Sequence, residues 1–217
     1  MAELTCGKQT RPPPVEKSDP LIAVLMSGRG SNLQALIDAG RLGGLGGLIR
    51  VVISNRADAP GLARARRAGI ETLVISHHDY ATREAFDQAL VDALVERGVR
   101  LVCLAGFMRR LTAVFCDAFP NAILNIHPSL LPAFRGEHAQ RQALVQGATV
   151  SGATVHIVTP ELDAGPIVLQ ETVPILAGDT EETLAARILE VEHRLFPAAV
   201  RHWLSGGGRD RADSRID

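Results

Sequence analysis

The fold is decided by one short stretch of the sequence, Leu21-Ile22-Ala23-Val24-Leu25-Met26-Ser27-Gly28-Arg29-Gly30-Ser31-Asn32. Its first six residues are all apolar, which is typical of a strand that is buried on both faces. The small residues of 27–31 predict a tight loop. A helix is expected over 32–39, where apolar side chains recur at helical spacing and Gly40 follows as a stop. The stretch therefore predicts a strand, a loop and a helix in succession, as in an α/β fold.

Strands and helices alternate along the rest of the chain. Further strands are predicted over 50–54, 71–75, 101–104, 122–125, 154–158 and 167–173, and helices over 60–69, 82–97, 112–118, 138–146 and 179–203. Asp179 is expected to cap the last helix by accepting from its first-turn amides. The last two strands are joined by only eight residues, 159–166, so this pair is predicted to be antiparallel. We expect a three-layer α/β fold with a mostly parallel, twisted sheet of about seven strands and helices on both faces.

Length and composition favour one globular domain. The chain has 217 residues, of which 46% are hydrophobic and 22% are charged, and such values argue against wholesale disorder. The domain is predicted over 21–204, between a disordered leader over 1–20 and a flexible tail over 205–217. The leader lacks the apolar core of a secretory signal, and no apolar run is long enough to span a bilayer.

The charge balance and the cysteines exclude several classes of function. Lys and Arg number 23 and Asp and Glu number 24, so the chain lacks the basic excess of proteins that bind nucleic acid by charge. No basic amphipathic stripe indicates a membrane surface. The three cysteines and seven histidines show neither a disulfide framework nor a metal-ligand spacing. We therefore expect a cytoplasmic protein that uses no metal and binds neither nucleic acid nor a membrane.

The loop after the first strand is a candidate anion site, because ligands of open α/β sheets bind at the carboxyl ends of the strands. Gly30, Ser31 and Asn32 open the helix, where backbone amides and the helix dipole favour a negative group. The loop lacks the third glycine of GxGxxG, and no GK[ST] follows it. A single phosphate group is therefore favoured over a dinucleotide or a triphosphate. The alternative is a tight turn that Asn32 caps.

The strongest candidate site is Asn125-Ile126-His127-Pro128-Ser129-Leu130-Leu131-Pro132, at the end of the predicted fifth strand. In an extended strand, the side chains of Asn125 and His127 point to the same face. An amide donor beside an imidazole can hold the oxygen of a tetrahedral intermediate and handle a proton. The alternative is a capped polar turn with a satisfied histidine.

Asp163 lies in the loop between the last two predicted strands. A carboxylate brought near His127 would favour the charged imidazole and raise its pKa. We therefore expect Asp163 to orient His127 and to stabilise its charge. The prediction assumes that the two residues fall at the same kind of strand end. The alternative is an ordinary Asp-x-Gly turn.

Three motifs together resemble the folate-dependent phosphoribosylglycinamide formyltransferases of purine synthesis: SGRGSNL over 27–33, NIHPSLLP over 125–132 and ELDAGP over 161–166. The similarity covers nearly all of 22–203. NIHPSLLP marks the wider group of formyl-folate transferases and hydrolases, and the SGRGSNL loop narrows it to the transformylases. The resemblance implies a Rossmann-like formyltransferase fold. It also implies that the chain transfers a formyl group from 10-formyltetrahydrofolate to the glycine amine of glycinamide ribonucleotide.

The resemblance further implies roles for individual residues. Asn125 and His127, the latter charged by Asp163, would stabilise the oxyanion and pass a proton to the folate leaving nitrogen. The ribonucleotide would bind to Gly30, Ser31, Asn32 and Glu192, and the folate to Arg83, Met108, Arg109, Arg110, Leu111 and Asn125. The alternatives are a solvent-facing carboxylate for Glu192 and a plain surface charge for Arg83. The implied partners are these two small molecules, without a metal, and the resemblance is compatible with a homodimer.

The sequence departs from the family pattern in two places. Arg29 stands in the loop after the first strand, where some relatives are expected to have a smaller polar residue, and we expect it to add a phosphate contact. Over 133–140, Glu137 replaces an apolar residue and Gln140 a histidine, which leaves the role of that loop open.

Three other functions stay open from the sequence. Formyltetrahydrofolate deformylases normally carry a regulatory domain before this fold, and methionyl-tRNA formyltransferases carry an RNA-binding domain after it. We expect neither domain in this chain. A non-catalytic folate- or phosphate-binding module is the third alternative, and the set of Asn125, His127 and Asp163 argues against it.

Overall fold

One sheet of seven strands organises residues 19–207, which are the residues that the computed structural model describes. The strands are β1 Leu21–Met26, β2 Leu48–Ser54, β3 Glu71–Val74, β4 Leu101–Leu104, β5 Ile123–His127, β6 Val150–Ile157 and β7 Ile167–Pro174. The helices are α1 Ser31–Arg41, α2 Gly61–Arg67, α3 Arg83–Glu96, α4 Ala113–Ala118, α5 Ala139–Val145 and α6 Glu181–His202. The strand order is β3-β2-β1-β4-β5-β6-β7. This arrangement confirms the predicted fold class.

The uniformly apolar β1 lies inside the sheet, where it pairs in parallel with β2 on one side and β4 on the other. Residues Ile22 to Met26 are completely buried. Successive side chains of β1 point to opposite faces, and each face has its own core. Ile22, Val24 and Met26 pack with residues of α1, α2 and α6, whereas Ala23 and Leu25 pack with residues of α3 and α4. The two cores explain why the strand carries no polar position.

The strand order reverses between β1 and β4, so that the loops after these two strands lie side by side. The Ser27 amide donates to the Gly106 carbonyl over 3.0 Å, and the Ala105 amide donates to the Leu25 carbonyl over 2.9 Å. A reversal of this kind opens a crevice at the carboxyl edge of a sheet. The fold therefore places the first candidate site at the switch point.

β6 runs antiparallel to both of its neighbours, β5 and β7. The antiparallel pairing of the last two strands is therefore confirmed, and the reversed β5–β6 pair is an addition to the prediction. In the register of that pair, Leu124 lies opposite Ile157 and His127 lies opposite Thr154. The carboxyl end of β6 thus lies beside the amino end of β5.

Several element ends differ from the predicted ones. β5 continues to His127, and β6 begins at Val150 rather than at residue 154, because both strands extend as far as they find backbone partners on each other and on β7. Gly40 does not end α1, which continues to Arg41 and is closed by the amides of Gly43 and Gly44. These ends depend on pairing and local geometry that a hydrophobic pattern does not contain.

The capping residue of α6 is Thr180, and the prediction of Asp179 was wrong. The Thr180 hydroxyl accepts from the Thr183 amide, and the Thr183 hydroxyl accepts from the Thr180 amide. The Asp179 carboxylate instead accepts from the Leu176 amide and from Arg187. These contacts lower the pKa of Asp179, with the Arg187 hydrogen bonds as the largest cause.

The predicted leader over 1–20 and the predicted tail over 205–217 lie outside the described residues, apart from 19–20 and 205–207. Residues Trp203–Gly207 form a wider turn after α6, in which Gly206 leaves helical geometry with φ of 101°. Within 19–207, no helix is both long enough and apolar enough to cross a membrane.

We expect Thr180→Ala to lower the free energy of unfolding by about 1 kcal/mol, because α6 would lose the acceptor for its first-turn amide. Thr180→Ser keeps that hydroxyl and should stay near the wild type. Urea unfolding of the three proteins measures the difference. Equal midpoints for the Ala and Ser variants would show that the cap contributes nothing.

Candidate active site

The loop between β1 and α1 is built on close backbone packing against α2. Gly30 has a left-handed backbone with φ of 71°, and a Cβ atom there would lie 2.8 Å from the Gly61 Cα. The Gly61 amide donates to the Gly28 carbonyl over 3.1 Å, and Arg64 Nε donates to the Arg29 carbonyl over 3.0 Å. In a trans peptide the N–H points away from the preceding carbonyl. The amides of Arg29 and Gly30 therefore point away from α2.

Asn32 and Glu192 meet at the start of α1. Asn32 Nδ2 donates to Glu192 Oε2 over 2.7 Å, and both side chains are buried. Burial raises the pKa of Glu192, and the hydrogen bond from Asn32 opposes that rise. Glu192 is therefore not a solvent-facing carboxylate, and its contact with Asn32 places it at the start of α1, next to the predicted residues Gly30 and Ser31.

A cavity of about 530 Å³ joins the β1–α1 loop, residues 27–30, to the segment that follows β4. Its wall includes 27–32, Asn55, His77, Met108 and Arg109. The Ser27 hydroxyl donates to Asn55 Oδ1 over 2.6 Å and accepts from the Met108 amide over 2.8 Å. This pair of bonds fixes the two segments relative to each other.

A second pocket, of about 120 Å³, lies on the other side of the segment after β4. Its walls contain the predicted folate residues Arg109, Arg110, Leu111 and Asn125, together with Asp163. Arg83 is not part of it. Arg83 lines a neighbouring cleft with Tyr80, Phe86, Arg109 and Arg110. The predicted folate residues other than Met108 therefore form two adjoining surfaces. Met108, which is 70% exposed, lines the cavity of about 530 Å³ beside the β1–α1 loop.

Asn125, His127 and Asp163 are brought together around a fourth residue, His156. Asp163 Oδ2 lies 3.5 Å from His127 Nδ1, and Asp163 Oδ1 lies 3.6 Å from His156 Nε2. Asn125 Nδ2 lies 3.1 Å from His156 Nε2. His156 Nδ1 lies 3.0 Å from the carbonyl of the next residue, which can only accept. The Asn125 amide nitrogen carries two hydrogens, so that one remains for a ligand beside the contact with His156.

Asp163 reaches His127 by a different route from the predicted one. The two residues do not follow equivalent strand ends, because β6 is reversed and its carboxyl end lies beside the start of β5. The loop over 158–166 folds back along the sheet, and the Gly136 amide donates to Asp163 Oδ2 over 2.8 Å. A Cβ atom on Gly165 would lie only 1.8 Å from the Ile157 carbonyl oxygen, so the fold-back requires glycine there.

The proton positions of His127 follow from its partners. His127 Nε2 lies 2.9 Å from the Phe134 carbonyl, which can only accept, so Nε2 carries a hydrogen. The nitrogen that gains or releases a proton is therefore Nδ1, which faces Asp163. Burial lowers the pKa of His127, and the Phe134 hydrogen bond and the Asp163 charge do not fully offset it. The effect of Asp163 on this pKa has the predicted sign, and burial outweighs it.

Asp163 stays ionised. Burial alone would raise the pKa of its carboxyl, but the contacts with His156, the Gly136 amide and His127 outweigh burial and lower the pKa to about 2. At neutral pH the site thus holds a carboxylate beside an imidazole that is mostly uncharged.

His156 was not predicted as a site residue. On the sequence it is one of seven scattered histidines. The signal that identifies it is the register of β5 and β6, which places His156 directly opposite Asn125. That signal appears only when the direction of β6 is known.

The segment over 133–140 borders the group of Asn125, His127 and Asp163 without adding a charged side chain to it. His138 directly precedes α5 and lies 3.5 Å from Glu181, and Arg135 lies 3.5 Å from Glu161 at the surface. Arg29 is exposed and lines the large cavity. Among residues 19–207, no three His, Cys, Asp or Glu side chains are grouped as metal ligands.

Residues 21–200 match the formyl transferase family. The chain belongs to this family. The phosphoribosylglycinamide formyltransferase of Escherichia coli (strain K12) is 46% identical over 186 residues, which are 86% of this chain and 87% of that protein. The structure of glycinamide ribonucleotide transformylase 1 from Symbiobacterium toebii superposes with a TM-score of 0.86 at 54% identity, covering 88% of this chain and 90% of the other.

Another relative is much longer. The trifunctional purine biosynthetic protein adenosine-3 of Homo sapiens is 51% identical over 191 residues, which are 88% of this chain. The chain spans 19% of the length of that protein. The family resemblance deduced from the three sequence motifs is confirmed by these matches.

The close packing around the β1–α1 loop predicts that replacing a helical glycine of α2 by alanine lowers the stability of the protein. Gly61→Ala should lower the free energy of unfolding by roughly 1–3 kcal/mol, although alanine favours helix, because its Cβ would lie 2.4 Å from Met26 Sδ. Gly28→Ala is the matched control, since nothing lies within 4 Å of its Cβ position. Urea unfolding compares the two variants. A Gly61→Ala protein as stable as the wild type would contradict the tight packing.

The lowered pKa of Asp163 predicts a specific dependence of stability on pH. The folded pKa of about 2 lies below the ordinary value of 3.8, so the unfolded chain binds more protons between these two pH values. The Asp163 contribution, roughly 2 kcal/mol at neutral pH, is therefore lost as the pH falls through this window. In Asp163→Asn the free energy of unfolding should rise less steeply between about pH 2 and pH 4. Parallel curves for wild type and variant would contradict the assignment.

Proposed function

We propose that this chain transfers a formyl group from 10-formyltetrahydrofolate to the glycine amine of glycinamide ribonucleotide, a step of de novo purine synthesis. The similarity to a phosphoribosylglycinamide formyltransferase and to a glycinamide ribonucleotide transformylase supports this reaction. The observation that carries the proposal is the position of the Asn125, His127 and Asp163 group. Asn125 and Asp163 line the pocket beside Arg109, and Arg109 also lines the cavity beside the β1–α1 loop. Two substrates bound in these two spaces would meet at one catalytic group.

The ribonucleotide occupies the larger cavity in this proposal. Its phosphate binds the amides of Gly30, Ser31 and Asn32 at the start of α1, where the helix dipole favours an anion. Glu192, held by Asn32, contacts the ribose or the amine. A loop that suits one phosphate group, rather than a dinucleotide, agrees with a mononucleotide substrate.

The folate occupies the smaller pocket. Leu104, Phe107 and Leu111 supply apolar walls for the pterin ring, and Asn125 lies at its inner end. Arg83 and Arg110 line the adjoining cleft, where their guanidinium groups suit the carboxylates of the glutamate tail.

The chemistry uses His127 as a base first and as an acid afterwards. The amine attacks the formyl carbon, the carbonyl electrons move to oxygen, and the free N–H of Asn125 donates to that oxyanion. Once the amine nitrogen has bonded to the formyl carbon, His127 Nδ1 takes a proton from that nitrogen. The imidazolium then faces Asp163, which stabilises it, and it donates the proton to the folate nitrogen as the old C–N bond breaks. Holding both substrates side by side supplies much of the remaining acceleration.

We place the reaction in the cytoplasm, and the buried free thiols of Cys103 and Cys116 suit a reducing compartment.

The test is a folate absorbance assay with purified protein and 10-formyltetrahydrofolate, with and without glycinamide ribonucleotide. We expect tetrahydrofolate to be released only when the ribonucleotide is present. Asn125→Ala should lower kcat by about 10²–10³ and leave ribonucleotide binding nearly unchanged, because it removes an oxyanion donor.

Two outcomes contradict the proposal. Release without the ribonucleotide would identify a deformylase, which uses water as the acceptor. No release from folded protein would favour a module that binds folate or phosphate without catalysis.

A further inference from the structure

A row of polar side chains crosses three strands beside His127. In the sheet register, His127 lies opposite Thr154 on β6, and Thr154 lies opposite Gln170 on β7. Directly opposed residues of antiparallel strands share one face of the sheet. Thr154 is completely buried, between a catalytic histidine on one side and the edge strand on the other. A buried hydroxyl in this position needs partners.

The hydroxyl of Thr154 uses its full hydrogen-bonding capacity on the backbone that follows His127. It donates to the Ser129 carbonyl over 2.6 Å and accepts from the Leu131 amide over 3.1 Å. Gln170 Nε2 donates to the same hydroxyl over 2.7 Å and to the Leu131 carbonyl over 3.0 Å. One donated and two accepted bonds exhaust the capacity of a hydroxyl. The start of the loop is thereby fixed to β6 and β7.

The same loop ends at the group that holds the imidazole. The Ser129 hydroxyl donates to the Ala133 carbonyl over 2.6 Å, and the Ala133 amide donates to the Leu130 carbonyl over 2.9 Å. The next residue, Phe134, has a left-handed backbone with φ of 56°, which is strained for a bulky side chain. Its carbonyl accepts from His127 Nε2. The strained residue is held by the bonds that precede it.

We propose that Thr154, supported by Gln170, is a positioning residue for the imidazole of His127 and acts through the loop over 129–134. The loop holds the Phe134 carbonyl against Nε2, so that the hydrogen stays on Nε2 and Nδ1 remains the nitrogen that exchanges a proton. This inference rests on the proposed function for its kinetic consequences, but not for the geometry that it describes.

The decisive variant is Thr154→Val, which keeps the shape of the side chain and removes the hydroxyl. We expect kcat to fall by about 10- to 100-fold, with KM for both substrates little changed, because the loop supports a catalytic group rather than a binding surface. Thr154→Ser keeps the hydroxyl and should restore most of the activity. Thr172→Val on β7 is the matched control, since Thr172 is exposed and lies opposite Gly152 rather than Thr154.

A second readout separates positioning from a merely structural role. The titratable groups that face His127 within the described residues are Asp163, from the loop after β6, and His156, from β6 itself. The Phe134 carbonyl favours the charged ring, so a loosened loop should lower the pKa of His127 further. NMR titration of the ring proton in wild type and in Thr154→Val measures that shift, and a His127→Asn spectrum assigns the resonance.

The outcomes are distinct. A wild-type kcat and an unchanged His127 titration in a folded Thr154→Val protein would overturn the proposal, even if its stability were lower. If Thr154→Val does not fold, Gln170→Met removes only the two outer bonds from an edge strand, and the same criteria apply to a smaller effect. A wild-type protein without formyl transfer would refute the proposed function, whereas the NMR titration would still decide the positioning of His127.

Discussion

The antiparallel pairing of β5 with β6 is the constraint on which the candidate active site depends. A parallel β6 would end beside His127 and carry its following loop away from the sheet. The reversed strand instead places His156 opposite Asn125 and Thr154 opposite His127. It also makes the next loop start at the far edge and fold back over the sheet. Asp163 meets both histidines only because of that return path.

Burial and polar contacts have opposite effects on the pKa values of Asp163 and His127, and the balance of the two sets the protonation of each residue. A carboxylate out of water is costly unless hydrogen bonds and charges compensate it. Asp163 has the Gly136 amide and two imidazoles, and its pKa falls. His127 has one carbonyl and one carboxylate that is 3.5 Å away, and burial prevails. The pair therefore contains a charged carboxylate, Asp163, and a mostly uncharged imidazole, His127. An imidazole in that state can accept a proton and later donate it.

Local signals in the sequence determine part of this structure and leave the rest undetermined. The strand over Leu21–Met26 is predicted to the residue, because an unbroken apolar run followed by glycines has one good interpretation. The meeting of Asn32 with Glu192, 160 positions apart, was reached through the family resemblance rather than through spacing. The direction of β6 relative to β5 and the place of His156 were missed, and the effect of burial on the pKa of His127 was not predicted. Each is set by non-local packing, which hydrophobic periodicity does not record.

The rigidity of the two loops has a consequence for catalysis. Ser27 fixes the β1–α1 loop to the segment at Met108, and Thr154 fixes the loop that ends at Phe134. Both side chains are buried, and each donates one hydrogen bond and accepts at least one from the protein itself. Dipoles that are oriented in advance stabilise a developing charge without reorganising at the moment of reaction. The entropic cost of ordering these groups therefore falls on folding, where burial of the two cores of the sheet offsets it. It does not add to the barrier of the chemical step.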